Sequence, residues 1–180
     1  RAEIKDVIAY LKLIANPADD VALRRIVNRP ARGLGDVTLA RIAETGGDRP
    51  LMEALRTATA GDLLTPRARG KVTEFVALID RLRASIETMG IAELLRETLD
   101  ATRYLEQYDT DDPEDLTRSE NVHELLSAAE EFQSSSEAPG LAAFLERTAL
   151  ATDVDTMEED ADAVLLVTLH SAKGLEFPHV

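Results

Sequence analysis

The chain has 180 residues, 20 of them basic and 34 acidic for a net charge of −14, with 44% apolar residues and no cysteine or tryptophan. A chain of this length buries roughly 70% of the surface its unfolded form exposes, so a core needs neither disulfides nor structural metal. The missing cysteines exclude thiol catalysis and Cys-ligated zinc, the dispersed His123, His170 and His179 argue against a metal site, and no secretory leader or apolar run of about 18 residues is present. The expectation is therefore a cytoplasmic protein with no metal and no membrane partner.

Ile4, Val7, Ile8, Leu11 and Ile14 recur at helical spacing, with Glu3, Lys5, Asp6 and Lys12 opposite, which predicts an amphipathic helix over 3–15. Asn16 and Pro17 read as the N-cap and first residue of a second helix running to about Asn28, with Asp19 and Asp20 at its positive end. Further helices are predicted at 37–45, 50–59, 66–89, 91–100, 114–133 and 140–150. Thr65 before Pro66 and Pro50 mark starts, and Gly90 after Met89 reads as a left-handed C-terminal cap. Residues 109–115 and 134–140 read as exposed connectors, the first acidic and the second rich in Ser, Pro and Gly. After the acidic stretch 153–162, Ala163-Val164-Leu165-Leu166-Val167-Thr168-Leu169 predicts one buried strand. One strand makes no sheet, so the chain reads as cut from a larger protein.

The net charge hides an asymmetry. Residues 1–83 hold 15 basic and 11 acidic residues, a net of +4, and residues 84–180 hold 5 and 23, a net of −18. Such a split suggests one surface able to meet an anion and one that stays solvated. Sixteen of the basic residues are Arg, the better phosphate fork, although genomic base composition explains an Arg-rich chain equally well. In Asn28-Arg29-Pro30-Ala31-Arg32-Gly33-Leu34-Gly35-Asp36-Val37-Thr38, two glycines flank one apolar residue just before a helix start. That pattern permits a tight turn with outward backbone amides at the positive end of a helix, an anion site in outline that resembles a helix-hairpin-helix hairpin. Arg24, Arg25, Arg29, Arg32 and the Thr38 hydroxyl make nucleic-acid phosphate the natural ligand; an ordinary C-cap and turn is the competing reading. The cluster Pro66-Arg67-Ala68-Arg69-Gly70-Lys71 is better read as a solvated first turn. For Tyr104 and Tyr108, packing is a better reading than base stacking.

The strand ends in Thr168-Leu169-His170-Ser171-Ala172-Lys173-Gly174-Leu175-Glu176-Phe177-Pro178. Polar groups at the carboxyl end of a strand stand where open α/β sheets bind ligands. Taken alone, His170 reads as a satisfied polar residue, Lys173 with Glu176 as a helical ion pair, and no nucleophile, base and orienter appear together.

This last string resembles motif V of the superfamily 1A DNA helicases of the UvrD, PcrA and Rep type at essentially every position. The start, Arg1 to Leu11, resembles the helix by which that family passes from its 2A domain into the inserted 2B domain. The Asn-Pro-x-Asp-Asp string at 16–20 and the Asn-x-Pro-x-Arg-Gly-Leu-Gly string at 28–35 also follow the family pattern, with Leu34 where Ile is usual. The resemblance implies a 3′ to 5′ ATP-dependent DNA helicase as the parent protein, with ATP and Mg²⁺ as its cofactors. It implies a mainly α fold, a helical bundle of the 2B type, with a short β segment of a RecA-like 2A domain at its C-terminal end. Residues 1–8 would close 2A and open the connecting helix, 9–158 would form 2B, and 159–180 would return to 2A. Arg29, Arg32, Gly33, Leu34, Gly35 and Thr38 would meet duplex DNA, Thr168 and His170 single-stranded DNA, and Gly174 and Glu176 the nucleotide.

The departures carry equal weight. The sequence holds no Gly-x-x-x-x-Gly-Lys-Ser/Thr phosphate loop, no acidic Mg²⁺-binding strand motif and no arginine-finger motif. No catalytic residue, no metal site and no ATPase activity are therefore expected of the chain by itself. Its partners would be DNA, the rest of the helicase chain, and repair or replication accessory proteins. The alternative reading is a free-standing helical module that binds DNA or other proteins.

Overall fold

The computed structural model describes residues 1–137 and 139–155, and it is mainly helical. In chain order the helices are α1 (Ala2–Ala15), α2 (Asp20–Ile26), α3 (Asp36–Gly46), α4 (Leu51–Ala60), α5 (Pro66–Ala84), α6 (Ile91–Thr102), a 3₁₀ turn (Tyr104–Gln107), α7 (Pro113–Ser135) and α8 (Leu141–Asp155). The predicted strand and all of motif V lie outside the described residues. Among the described residues, no helix is long and apolar enough to cross a membrane.

α1 is the centre of the bundle, packed against α2, α5, α6 and α7. Its Val7, Tyr10, Leu11, Leu13 and Ile14 are almost fully buried, as their spacing predicts. The polar face assigned to Glu3 and Asp6 is corrected: both are buried, at 6% and 5% exposure. α7 and the 3₁₀ turn cover that side and supply partners. Asn121 Nδ2 donates to Glu3 Oε1 at 2.7 Å, while Asp6 accepts from Arg25 Nε at 2.7 Å and from the Tyr104 hydroxyl at 3.1 Å. Buried carboxylates persist only when paired in this way. Tyr104 and Tyr108 thus serve packing, their rings 5.9 Å apart edge to face, and the Tyr108 hydroxyl donates to that of Tyr104 at 3.3 Å.

Helix boundaries differ from expectation at α2, α5 and α8, the last running to Asp155 rather than 150. α2 starts at Asp20, not Pro17, because Asp19 takes the capping role: its carboxylate accepts from the Ala22 amide at 2.9 Å. Asn16 instead closes α1, and its side chain accepts from the Ala18 amide at 3.1 Å. Gly90 is no left-handed cap, since α5 ends at Ala84 and Gly90 is the extended N-cap of α6. There a β-carbon would come within 2.4 Å of Gln133, whose Oε1 accepts from the Ala92 amide at 3.1 Å. The left-handed C-cap in this part of the fold is Arg103, φ 55°, at the end of α6. Thr65 before Pro66 opens α5 as expected, its hydroxyl accepting from the Ala68 amide.

Arg1–Thr148 form one compact unit, and Ala149–Val180 form a second, described only through the last residues of α8.

Candidate nucleic-acid interface

The segment between α2 and α3 is a self-stapled loop. Asn28, just past α2, turns its side-chain carbonyl inward, where Oδ1 accepts from the amides of Arg32, Gly33 and Leu34 at 2.7, 3.0 and 3.3 Å. Three convergent amides form a nest of the kind that otherwise holds an anion. The expectation that the Gly-Leu-Gly amides face outward is therefore corrected for Gly33 and Leu34. Gly33 adopts φ 75°, a left-handed conformation that costs glycine nothing and lets the nest close. Leu34 points into the core at 1% exposure, so only its backbone lies at the loop surface.

Arg32 fills the complementary cage. Its Nη1 lies 3.0, 3.1 and 3.2 Å from the carbonyl oxygens of Arg29, Ile26 and Pro30, and its Nη2 donates to the Tyr10 hydroxyl at 2.5 Å. The guanidinium carbon stands 5.8 Å from the centroid of the Tyr10 ring and 5.5 Å from that of Phe75. The Tyr10 hydroxyl donates in turn to the Arg29 carbonyl at 2.5 Å. Burial pushes the Tyr10 phenol up to about 12, against the opposing pull of the Arg32 charge.

Two cationic side chains are placed differently. Arg24 and Arg29 are exposed and their guanidinium groups have no protein partner among the described residues. With Arg25, Asn28, Asp6 and Asp36 they line a groove of about 380 Å³ beside the loop. Arg25 is committed to Asp6 and to the Ala2 carbonyl, the latter at 3.1 Å.

The start of α3 completes the surface. Gly35 is its N-cap and offers no side chain. α4 and α6 also begin without a capping side chain of their own, and each borrows one: Asp20 Oδ1 accepts from the Leu51 amide at 2.7 Å, and Gln133 caps α6. α3 borrows none. The amides of Gly35, Asp36 and Val37 have no acceptor among the described residues, and the Thr38 hydroxyl one residue on has no partner there either. An open helix start beside two unpaired arginines has the chemistry of a phosphate site.

The structure thus brings together Arg24, Arg29, Gly33, Gly35 and Thr38 of the residues that the sequence singled out. Thr168, His170, Gly174 and Glu176 lie outside the described residues. The role of Asn28 as the internal occupant of the nest was missed, although an Asn five residues ahead of Gly33 is a signal for such an acceptor.

A helical bundle with an open glycine hairpin at one helix start narrows the class, and comparison with known proteins settles it: residues 1–180 match the model of the UvrD-like helicase C-terminal domain, and the chain belongs to that family. The whole chain aligns with the ATP-dependent DNA helicase PcrA of Bacillus subtilis at 39% identity and with DNA helicase II of Escherichia coli at 39%. It aligns with the ATP-dependent DNA helicase UvrD1 of Mycobacterium tuberculosis at 38%. The chain spans about a quarter of each of these relatives, 25%, 26% and 26% respectively.

Proposed function

We propose that the chain is the 2B module, with flanking edges of 2A, of an ATP-dependent 3′ to 5′ DNA helicase that serves repair or replication in the cytoplasm. Within it, 1–8 and 159–180 belong to 2A and 9–158 to 2B. The module contacts the duplex backbone and regulates unwinding, and it hydrolyses no ATP alone, in keeping with a sequence that lacks the phosphate loop, the acidic Mg²⁺ motif and the arginine finger. The observation that carries the reading is the uncapped start of α3 beside the unpaired Arg24 and Arg29.

Phosphate oxygens accept from the Gly35, Asp36 and Val37 amides and from Thr38, and Arg29 supplies charge without reading sequence. Gly33 and Leu34 contribute through the shape of the backbone. Thr168 and His170 face the single strand. ATP and Mg²⁺ belong to the parent protein, in which the family pattern sets Gly174 and Glu176 near the nucleotide. A second role, docking of accessory proteins, is supported by the shallow groove on α7 where Glu120, Glu124 and Glu131 stand with His123.

Binding of the chain to a duplex with a 3′ tail tests the duplex reading. Arg29→Ala is expected to weaken binding for every sequence and to reduce the slope of log affinity against log salt by about 0.9. Equal binding by Arg29→Ala and the unsubstituted chain at low salt would remove Arg29 from the interface.

A further inference from the structure

We infer that Arg32 and Tyr10 are positioning residues that lock the α2–α3 hairpin onto α1 and thereby aim the phosphate-binding surface, and that Arg32 is not itself a phosphate contact. The inference rests on the duplex reading above for its consequence, but its geometry stands alone. A phosphate-binding arginine needs free donors, and both Nη groups of Arg32 are engaged: Nη1 lies among the carbonyls of Ile26, Arg29 and Pro30, and Nη2 is on the Tyr10 hydroxyl. Aromatic rings of α1 and α5 stand 5.8 and 5.5 Å from the guanidinium carbon. Reaching a phosphate would break these bonds and leave the Pro30 carbonyl without a donor.

The lock has two halves of opposite polarity. Asn28 Oδ1 fills the amide nest, and Arg32 fills the carbonyl cage, so the loop carries an internal stand-in for each kind of ligand. Tyr10 joins the halves to the bundle. It is 1% exposed, and its hydroxyl receives from Arg32 while giving to the Arg29 carbonyl. The same residue whose carbonyl is held, Arg29, projects an unpaired guanidinium into the groove. Any displacement of α1 at Tyr10 is passed directly to the backbone of Arg29 and so to the cationic groove.

Lysine keeps the charge but cannot span the cage and the hydroxyl together, which separates positioning from contact. Arg32→Lys and Tyr10→Phe are each expected to lower affinity for a 3′-tailed duplex about tenfold, the worth of one or two lost hydrogen bonds. Neither should change the salt slope, whereas Arg29→Ala lowers it by about 0.9. Both variants should also speed hydrogen exchange at the Gly33 and Leu34 amides about tenfold or more. Wild-type affinity in Arg32→Lys, or a slope in Arg32→Ala reduced as in Arg29→Ala, makes Arg32 a phosphate contact and overturns the inference. Unchanged exchange at Gly33 and Leu34 in Tyr10→Phe, a variant mild enough to fold, overturns the lock whether or not DNA binds. Failure of the unsubstituted chain to bind any duplex defeats the duplex reading instead, and the exchange measurement still decides the lock.

Discussion

Asp36 stands in the first turn of α3, exposed, and lines the groove that Arg24 and Arg29 share. A carboxylate there has two opposed effects. It faces the positive end of the helix, which stabilises α3 by about 0.5 kcal/mol, and it competes with any phosphate approaching the Gly35 to Val37 amides. Removing its charge should separate them. Asp36→Asn is expected to raise affinity for duplex DNA roughly threefold at low salt while lowering stability by about 0.5 kcal/mol. Titration with a fluorescent duplex and a urea melt on the same sample measure both effects. Weaker binding after this substitution would mean that phosphate does not approach the α3 start. The residue scale also shows how one side chain changes meaning with its surroundings: Arg29 and Arg32 lie three apart in one basic string, yet one projects into the groove and the other is caged by carbonyls.

Between elements, the α3–α4 contact depends on the absence of a side chain. A β-carbon at Gly46 would come within 2.6 Å of the Ala54 β-carbon, which is fixed to the α4 backbone and cannot swing away. Alanine is the better helix former by about 1 kcal/mol, so an open site would gain from the exchange. At Gly46 the overlap outweighs that gain, and Gly46→Ala is expected to cost about 1 to 2 kcal/mol net in urea unfolding. Adding Ala54→Gly should recover part of the loss, and a Gly46→Ala chain more stable than its parent would show that the helices are not in close contact. Most elements were legible because their signals are local: the apolar spacing of α1 and Thr65-Pro66 before α5. The burial of Glu3 and Asp6 was not legible, because Asn121 and Tyr104, which make it tolerable, are 118 and 98 positions away. The start of α2 offered two competing caps within four residues, and nothing local ranks Asp19 above Asn16. At the site, glycine and arginine types pointed to an anion surface, but the direction of Arg32 depends on Tyr10 and Phe75 from two other helices.

On the scale of the whole molecule, α1 is keyed at both ends by tyrosines. Tyr10 ties its later turns to the hairpin, and Tyr104, with Tyr108 against it, ties its first turns through Asp6. These are all the tyrosines in the chain. Burial raises the pKa of each, aided at Tyr104 by the Tyr108 hydroxyl and the Asp6 carboxylate and opposed at Tyr10 by the Arg32 charge. An unfolded tyrosine ionises near pH 10. Because the folded values are higher, the folded chain binds protons more tightly. The stabilisation is complete below about pH 10 and is lost as pH rises through the folded value, which for Tyr10 is about 12. That difference corresponds to about 3 kcal/mol from Tyr10 by itself, a large fraction of a small domain's stability. The bundle should therefore unfold in alkali as a unit, with tyrosinate absorbance and loss of helical circular dichroism rising together above pH 10. Tyr10→Phe removes one of the titrating groups, so its stability should decline less between pH 10 and 12 even though it starts lower. Tyrosinate appearing near pH 10 with the helices intact would place the phenols in water and break the connection between α1 and the two elements it holds.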